Sequence, residues 1–332
     1  MNKSPLLYGL VFLSLILGCS TRQTADPQKV DTQKADSNRQ TAGTTDPKAA
    51  AAAQTQPDAG LAAAITQIAA AAKGRVGVSA IMLESGETLA SLNPQDHFPM
   101  QSVYKLPISM AVMKQVDEGK ITLEQKVRIA KEDFVGRAAH SPIRDKYPNG
   151  TELTVTEVLR FALSESDGTA SDVLMKLAGG HEAVQAYLTS LGIKDMIVLD
   201  TENAFTQDHS LQYRNYATPE AAVALLRALY ERRGLSESSQ ALLLKYLTES
   251  STGPKRLKGL LPVGTLVAHK TGTSGTEKGI TAATNDIGII TLPGGRHLAM
   301  AVFVADSPAD EVTREAVIAK IAKAVFASVI SK

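Results

Sequence analysis

Three short stretches of this chain hold residue types that can do chemistry together. Ser102 and Lys105 form an S-x-x-K tetrad directly ahead of an apolar helical run. Residues three apart on a helix share one face, so the two side chains can meet. A serine hydroxyl is a poor nucleophile until a base removes its proton. A lysine whose pKa is lowered by burial and nearby charge can be that base. At a helix start, backbone N–H groups also face developing negative charge. Taken alone, the tetrad is better read as an N-capping serine beside a solvated lysine. It is followed by Ser166-Asp167-Gly168 and then by Lys270-Thr271-Gly272-Thr273. The six histidines, His97, His140, His181, His209, His269 and His297, form no H-E-x-x-H or other ligand-spaced cluster. Neither a metal nor a cofactor is therefore expected.

The elements that must bring these stretches together can be outlined from pattern. LAAAITQIAAAAK, from Leu61, has helical spacing, and residues 76–83 and 88–92 flank a hairpin signal at Glu84-Ser85-Gly86-Glu87. From Ser102 to Leu247 the pattern is mainly helical, with Gly179-Gly180 and Gly192 as helix stops. Strand signals return over residues 265–270, 287–292 and 298–305, the last two joined by a Pro293-Gly294-Gly295-Arg296 turn. A helix over residues 309–330 ends the chain. The implied class is α+β. The terminal segments (60–101 and 251–332) form one antiparallel sheet covered by the first and last helices, and residues 102–250 form an all-helical lobe. A cleft between them is the expected site.

The order of the three motifs, on a helix start, a helical stretch and a strand end, resembles class A serine β-lactamases and penicillin-binding proteins. The stretches FPMQSVYKLPISMAV, TGPKRLKGLLPVGTLVAHKTGTSG and TAATNDIGIITLPGGR look like class A β-lactamases, most of all the PER and VEB-type extended-spectrum branch. The resemblance implies the β-lactamase/transpeptidase-like fold and hydrolysis of penicillins and cephalosporins through an acyl-enzyme on Ser102. The backbone N–H groups of Ser102 and Thr273 would form the oxyanion hole. Lys105, or Glu202 acting through water, takes the serine proton. Ser166 relays a proton to the ring nitrogen, with Lys270 tuning its field. Thr271, Gly272 and Thr273 belong to the substrate-binding strand. Glu202 with Thr206 holds the hydrolytic water. Arg256 matches a position from which the family pairs the substrate carboxylate, although Lys255 and Lys258 make this equally a solvated basic stretch. His140 is a candidate for the loop at the cleft mouth.

The departures bear on activity. Gly168 stands where most members have an asparagine that contacts the substrate's acylamino group, so restoring Asn is expected to favour such substrates. Asp200 and Asn215 replace the usual Arg–Asp clasp of the loop carrying Glu202, which must be held differently. Two rivals share the motifs: a D-alanyl-D-alanine peptidase, and a lipoprotein that binds β-lactam or peptidoglycan without turnover.

Across 332 residues, 35 Lys+Arg balance 34 Asp+Glu, which argues against a nucleic-acid binder living on phosphate contacts. Hydrophobic residues are 44% and charged residues 21%, enough to bury a sizeable core. The chain opens with Lys3 and an apolar run over residues 6–17, too short to span a bilayer comfortably. The run ends Leu15-Ile16-Leu17-Gly18-Cys19, which resembles a bacterial lipobox and contains the chain's single cysteine. Residues 1–18 therefore read as a lipoprotein signal peptide and Cys19 as the lipidated residue. Residues 19–59, poor in large apolar side chains, read as a flexible tether, and 60–332 as the catalytic domain. The expected product is an exported monomer, lipid-anchored in the cell envelope. Ser20 after the cysteine favours the outer membrane.

Overall fold

The structure, a computed structural model, describes residues 58–330. The expected signal peptide, Cys19 and the tether to residue 57 lie outside them. Helix α1 (Ala59–Ala69) starts where Asp58 accepts hydrogen bonds from the N–H groups of Gly60 and Leu61. That N-cap fixes the start of α1. The chain continues through β1 (Arg75–Met82), β2 (Thr88–Leu92) and β3 (Phe98–Pro99) to α2 (Lys105–Asp117). Next come β4 (Lys126–Ile129), α3 (Pro142–Lys146), β5 (Thr151–Thr154), α4 (Val155–Ser164), α5 (Gly168–Leu177) and α6 (His181–Ser190). Then follow β6 (Met196–Ile197), α7 (Glu202–Gln207), β7 (Tyr216–Ala217), α8 (Pro219–Tyr230) and α9 (Glu237–Thr248). The chain closes with β8 (Val267–Thr273), β9 (Thr276–Glu277), β10 (Ile280–Thr291), β11 (His297–Ser307) and α10 (Glu311–Ile330).

The main sheet runs β2-β1-β11-β10-β8, with β9 pairing β10, and its pairs are antiparallel. Strand β11 shows how the sheet holds two cores. Leu298, Met300, Val302 and Val304 point to one face and join Ile65 of α1 and Ile318, Ile321 and Val325 of α10. Ala299, Ala301, Phe303 and Ala305 point to the other and join Phe98 and Leu225 and Leu229 of α8. The period-two alternation of a strand is thus present, but both faces are apolar because both are covered. The expected cover of α1 and α10 serves one face only. Helix α8, expected within the separate helical lobe, packs on β1, β10 and β11.

The stretch expected to be all helical also contains the strand pair β4-β5 and strands β6 and β7, which form a second small sheet, β3-β7-β6, with β3 from just before it. Their strands are two to four residues long, too short for alternation to show. The second has a positional role. Phe98 and Met196 both pair with Ala217, and Met100 N–H donates to the Asn215 carbonyl at 2.9 Å. The segment entering the nucleophile turn is thereby tied to the loop that carries Glu202.

Candidate active site

A cleft of about 530 Å³ is lined by Ser102, Ser166, Glu202, Thr206, Thr271 and Thr273, among others. Ser102 sits in a 3-10 turn, Gln101–Tyr104, that runs into α2 at Lys105. Gln101 has φ +47°, a left-handed conformation that a residue with a Cβ adopts only when its surroundings impose it. The turn lies hard against β8. A Cβ on Gly272 would strike the Met100 carbonyl, so the glycine of K-T-G is what lets β8 approach the turn that carries Ser102. Lys105, 1% exposed, places its Nζ 2.6 Å from Ser102 Oγ and 2.9 Å from Glu202 Oε2.

The S-D-G segment combines one chemical residue and one structural one. Asp167 is fully buried and caps α5 through Ala170 N–H at 2.8 Å. Its second oxygen accepts from Ile143 N–H at 2.6 Å, and Ser141 Oγ reaches both. These bonds hold Ser166 at φ +57°, with its Oγ accepting from Lys270 Nζ at 2.8 Å. Lys270 is fully buried. Burial, reinforced by the Lys105 cation, holds its pKa well below the usual lysine value against the pull of Asp286 and Glu202.

Glu202 opens α7, whose first turn is capped by Thr201 Oγ1. Burial works to raise its pKa, but the Lys105 charge and the hydrogen bonds from Lys105 and Tyr104 outweigh it. The net result is a lowered pKa. Tyr104 Oη donates to Glu202 Oε2 at 2.7 Å. Asp172 of α5 accepts the backbone N–H groups of Glu202 and Asn203 at 2.8 and 2.9 Å. The missing Arg–Asp clasp is replaced by Asn215. Its Oδ1 accepts from Leu199 and Asp200 N–H, and its Nδ2 donates to the Asp200 carbonyl, all within 2.9 Å. Arg214 adds an ion pair to Asp200 at 3.3 Å. Thr206 Oγ1 donates to the Asn203 carbonyl at 2.7 Å, which leaves its lone pairs as acceptors on the cleft wall.

Two of the expected substrate contacts lie behind the wall. Arg256 is 3% exposed, neither solvated nor lining the cleft. Its Nη2 donates to Thr273 Oγ1 at 2.8 Å, Nη1 to the Gly272 and Asn285 carbonyls, and Nε pairs with Glu315 of α10 at 3.1 Å. It can therefore reach a substrate carboxylate through Thr273 rather than by a bidentate pair of its own. Gly168 is buried beneath Glu202, not on the wall. A Cβ there would lie 2.7 Å from Glu202 Cγ, so an asparagine cannot be restored with Glu202 in place. The obstacle is space, since Gly168 is not among the residues with positive φ. His140 does line the cleft, with Nε2 2.9 Å from the Glu165 carbonyl.

Sequence reasoning missed Tyr104, Asp172, Gln101 and Glu315. Tyr104 and Gln101 are neighbours of the nucleophile, and Gln101 Nε2 donates to Gln212 across the cleft at 2.6 Å. Asp172 stands four residues after Gly168, one helical turn along the face of α5 that meets α7, the one available signal. Nothing local marks Glu315.

The description "Beta-lactamase enzyme family" fits residues 60–329 of this chain. Beta-lactamase VEB-1 of Pseudomonas aeruginosa is 42% identical over 261 residues, spanning 78% of this chain and 87% of its own. Extended-spectrum beta-lactamase PER-1 of the same organism is 45% identical over 264 residues, spanning 79% and 85%. The crystal structure of a beta-lactamase from Chitinophaga pinensis superposes with a TM-score of 0.78 at 45% identity, covering 80% of this chain and 97% of that one. That of the TLA-1 extended-spectrum beta-lactamase gives 0.79 at 41%, covering 82% and 98%. With a serine, two lysines and a loop glutamate joined around one cleft, and with relatives of this identity along most of its length, the chain belongs to the class A serine β-lactamase family.

Proposed function

We propose that the protein hydrolyses penicillins and cephalosporins through an acyl-enzyme on Ser102, deacylated by water that Glu202 activates. The observation that carries this is the continuous contact Ser102 Oγ–Lys105 Nζ–Glu202 Oε2, at 2.6 and 2.9 Å. Ser102 Oγ attacks the lactam carbonyl as its proton leaves toward Lys105, or through water toward Glu202. The backbone N–H groups of Ser102 and Thr273 receive the oxyanion. The C–N bond then breaks and Ser166 passes a proton to the nitrogen, made good by the proton that left Ser102, with Lys270 tuning its field. Thr271 and Thr273 hold the substrate carboxylate, with Arg256 orienting Thr273. Water between Glu202 and Thr206 loses a proton to Glu202 and attacks the ester, and Ser102 regains its proton as the acid departs.

Glu202 favours this reading over a peptidase, which forms the acyl-enzyme but lacks the loop glutamate that clears it, and a non-hydrolysing binder would give neither burst nor turnover. A positioned general base contributes about 10²–10⁴-fold. Glu202→Gln keeps size and hydrogen bonding but cannot take the proton. With a chromogenic cephalosporin it should give one stoichiometric burst followed by turnover slowed on that scale. Mass spectrometry should find a single adduct on Ser102. Turnover of Glu202→Gln at the wild-type rate would place the base elsewhere. The lipobox-like leader further supports export and a lipid anchor on Cys19, with Ser20 favouring the outer membrane if the host is Gram-negative.

A further inference from the structure

Lys105 touches two oxygens at once, and its hold on Glu202 must change as protons move between it and Ser102. A base that depended on Lys105 alone would lose its anchor during the reaction. Tyr104 supplies one that does not change. Burial, together with the Glu202 and Asp172 carboxylates, holds its phenol pKa well above the ordinary value, so it keeps its proton. Its ring is 1% exposed and packs edge-on to Phe205 of α7, centroids 5.9 Å apart. The ring and the hydroxyl thus both grip the helix that carries Glu202.

Gly168 is the complementary feature. Glu202 Cγ fills the volume that a side chain at 168 would take, with the His140 carbonyl and Val135 closing the space at 3.2 and 3.3 Å. Both side-chain hydrogen bonds to the carboxylate fall on Oε2, and Glu202 lines the cleft.

We propose that Tyr104 is a positioning residue for the deacylating carboxylate and that Gly168 is the space this position requires. The Tyr104 hydroxyl fixes Oε2 at the cleft floor and presents Oε1 to the hydrolytic water. The absent side chain at 168 is then a condition of where the base sits, not a lost substrate contact. This rests on Glu202 being the deacylating base.

The test uses Tyr104→Phe, which keeps the ring and removes the donor, with Gly168→Asn and the double variant. Single-turnover mass spectrometry separates formation of the Ser102 adduct from its decay. Tyr104→Phe should acylate and then deacylate about tenfold more slowly, the scale of one hydrogen bond to a charged group. The acid limb of kcat should move to higher pH, because a donor that favours ionised Glu202 is gone. Gly168→Asn should also accumulate adduct. The double variant should deacylate within about threefold of the slower single variant, because both changes act on one carboxylate position. An unchanged deacylation rate and acid limb in Tyr104→Phe, or losses that multiply in the double variant, would overturn the proposal. If Glu202→Gln stalls while Tyr104→Phe does not, only the positioning role fails. If Glu202→Gln turns over normally, the base assignment and this inference fail together.

Discussion

Asp172 allows a pH-dependent stability effect to be worked out from one residue. Its carboxylate, 7% exposed, accepts two N–H groups at the start of α7. Burial, aided by the Glu202 charge, raises its pKa from 3.8 to about 6, against the pull of those N–H groups and Lys105. A carboxyl with a raised folded pKa holds its proton more tightly folded than unfolded. Stability from this group is therefore full below pH 4 and is lost as pH rises through about 6. Two pKa units correspond to about 3 kcal/mol. Asp172→Asn removes that dependence but offers one acceptor to two N–H groups, at a pH-independent cost of about 1–3 kcal/mol. The variant should thus be less stable than wild type at pH 4 and close to it, or above, at pH 7. Urea unfolding of both proteins at pH 4, 5, 6 and 7 reads this directly. A stability difference that stays constant from pH 4 to 7 would refute the reasoning, because the carboxyl would then titrate alike in both states.

Two further outcomes concern the carboxylate end of the cleft and the anchor. Glu315→Gln weakens the buried partner of Arg256 and through it the orientation of Thr273. KM for carboxylate-bearing β-lactams should rise by about tenfold with kcat little changed, the signature of lost uniform binding; an equal fall in kcat would contradict it. Cys19→Ala should prevent lipidation and, by blocking lipoprotein processing, change maturation, which mass spectrometry of the product would read, because stable anchoring depends on the acyl chains. Wild-type protein found soluble without lipid on Cys19 would remove the anchor.

Strands β1, β2, β8 and β11 and helices α1 and α10 were legible because each carries its own pattern, whereas β10 was expected only from residue 287 and β9 not at all. β2 falls where the alternation around Glu84-Ser85-Gly86-Glu87 puts it, and α10 starts two residues after its expected first position. What the pattern could not show is what covers a face. Helix α8 is amphipathic whether it packs on helices or on a sheet, and its sequence is continuous with the helical block. Only the residues it meets, Phe303 and the alanines of β11, decide the matter. The two-residue strands β3, β6 and β7 are set by pairing alone, which leaves no local trace.

The site divides along a similar line. Ser102 and Lys105 are recoverable because chemistry demands those residue types one helical turn apart, while Ser166 and Lys270, far along the chain, were reached through the resemblance of their motifs. Residues that act through space have no such constraint. Arg256 was found by its position and its contact was misjudged, because a sequence cannot tell a cation facing a cleft from one facing the back of its wall. Gly168 shows the same limit in reverse. Against a family pattern it reads as a deletion, an amide taken away from the substrate. In the folded chain it is an occupied space, filled by the Glu202 side chain, whose carboxylate accepts from a tyrosine hydroxyl two residues past Ser102. The missing side chain at 168 and the place of the Glu202 side chain are one structural fact here, joined by the 2.7 Å at which a Cβ would meet Cγ.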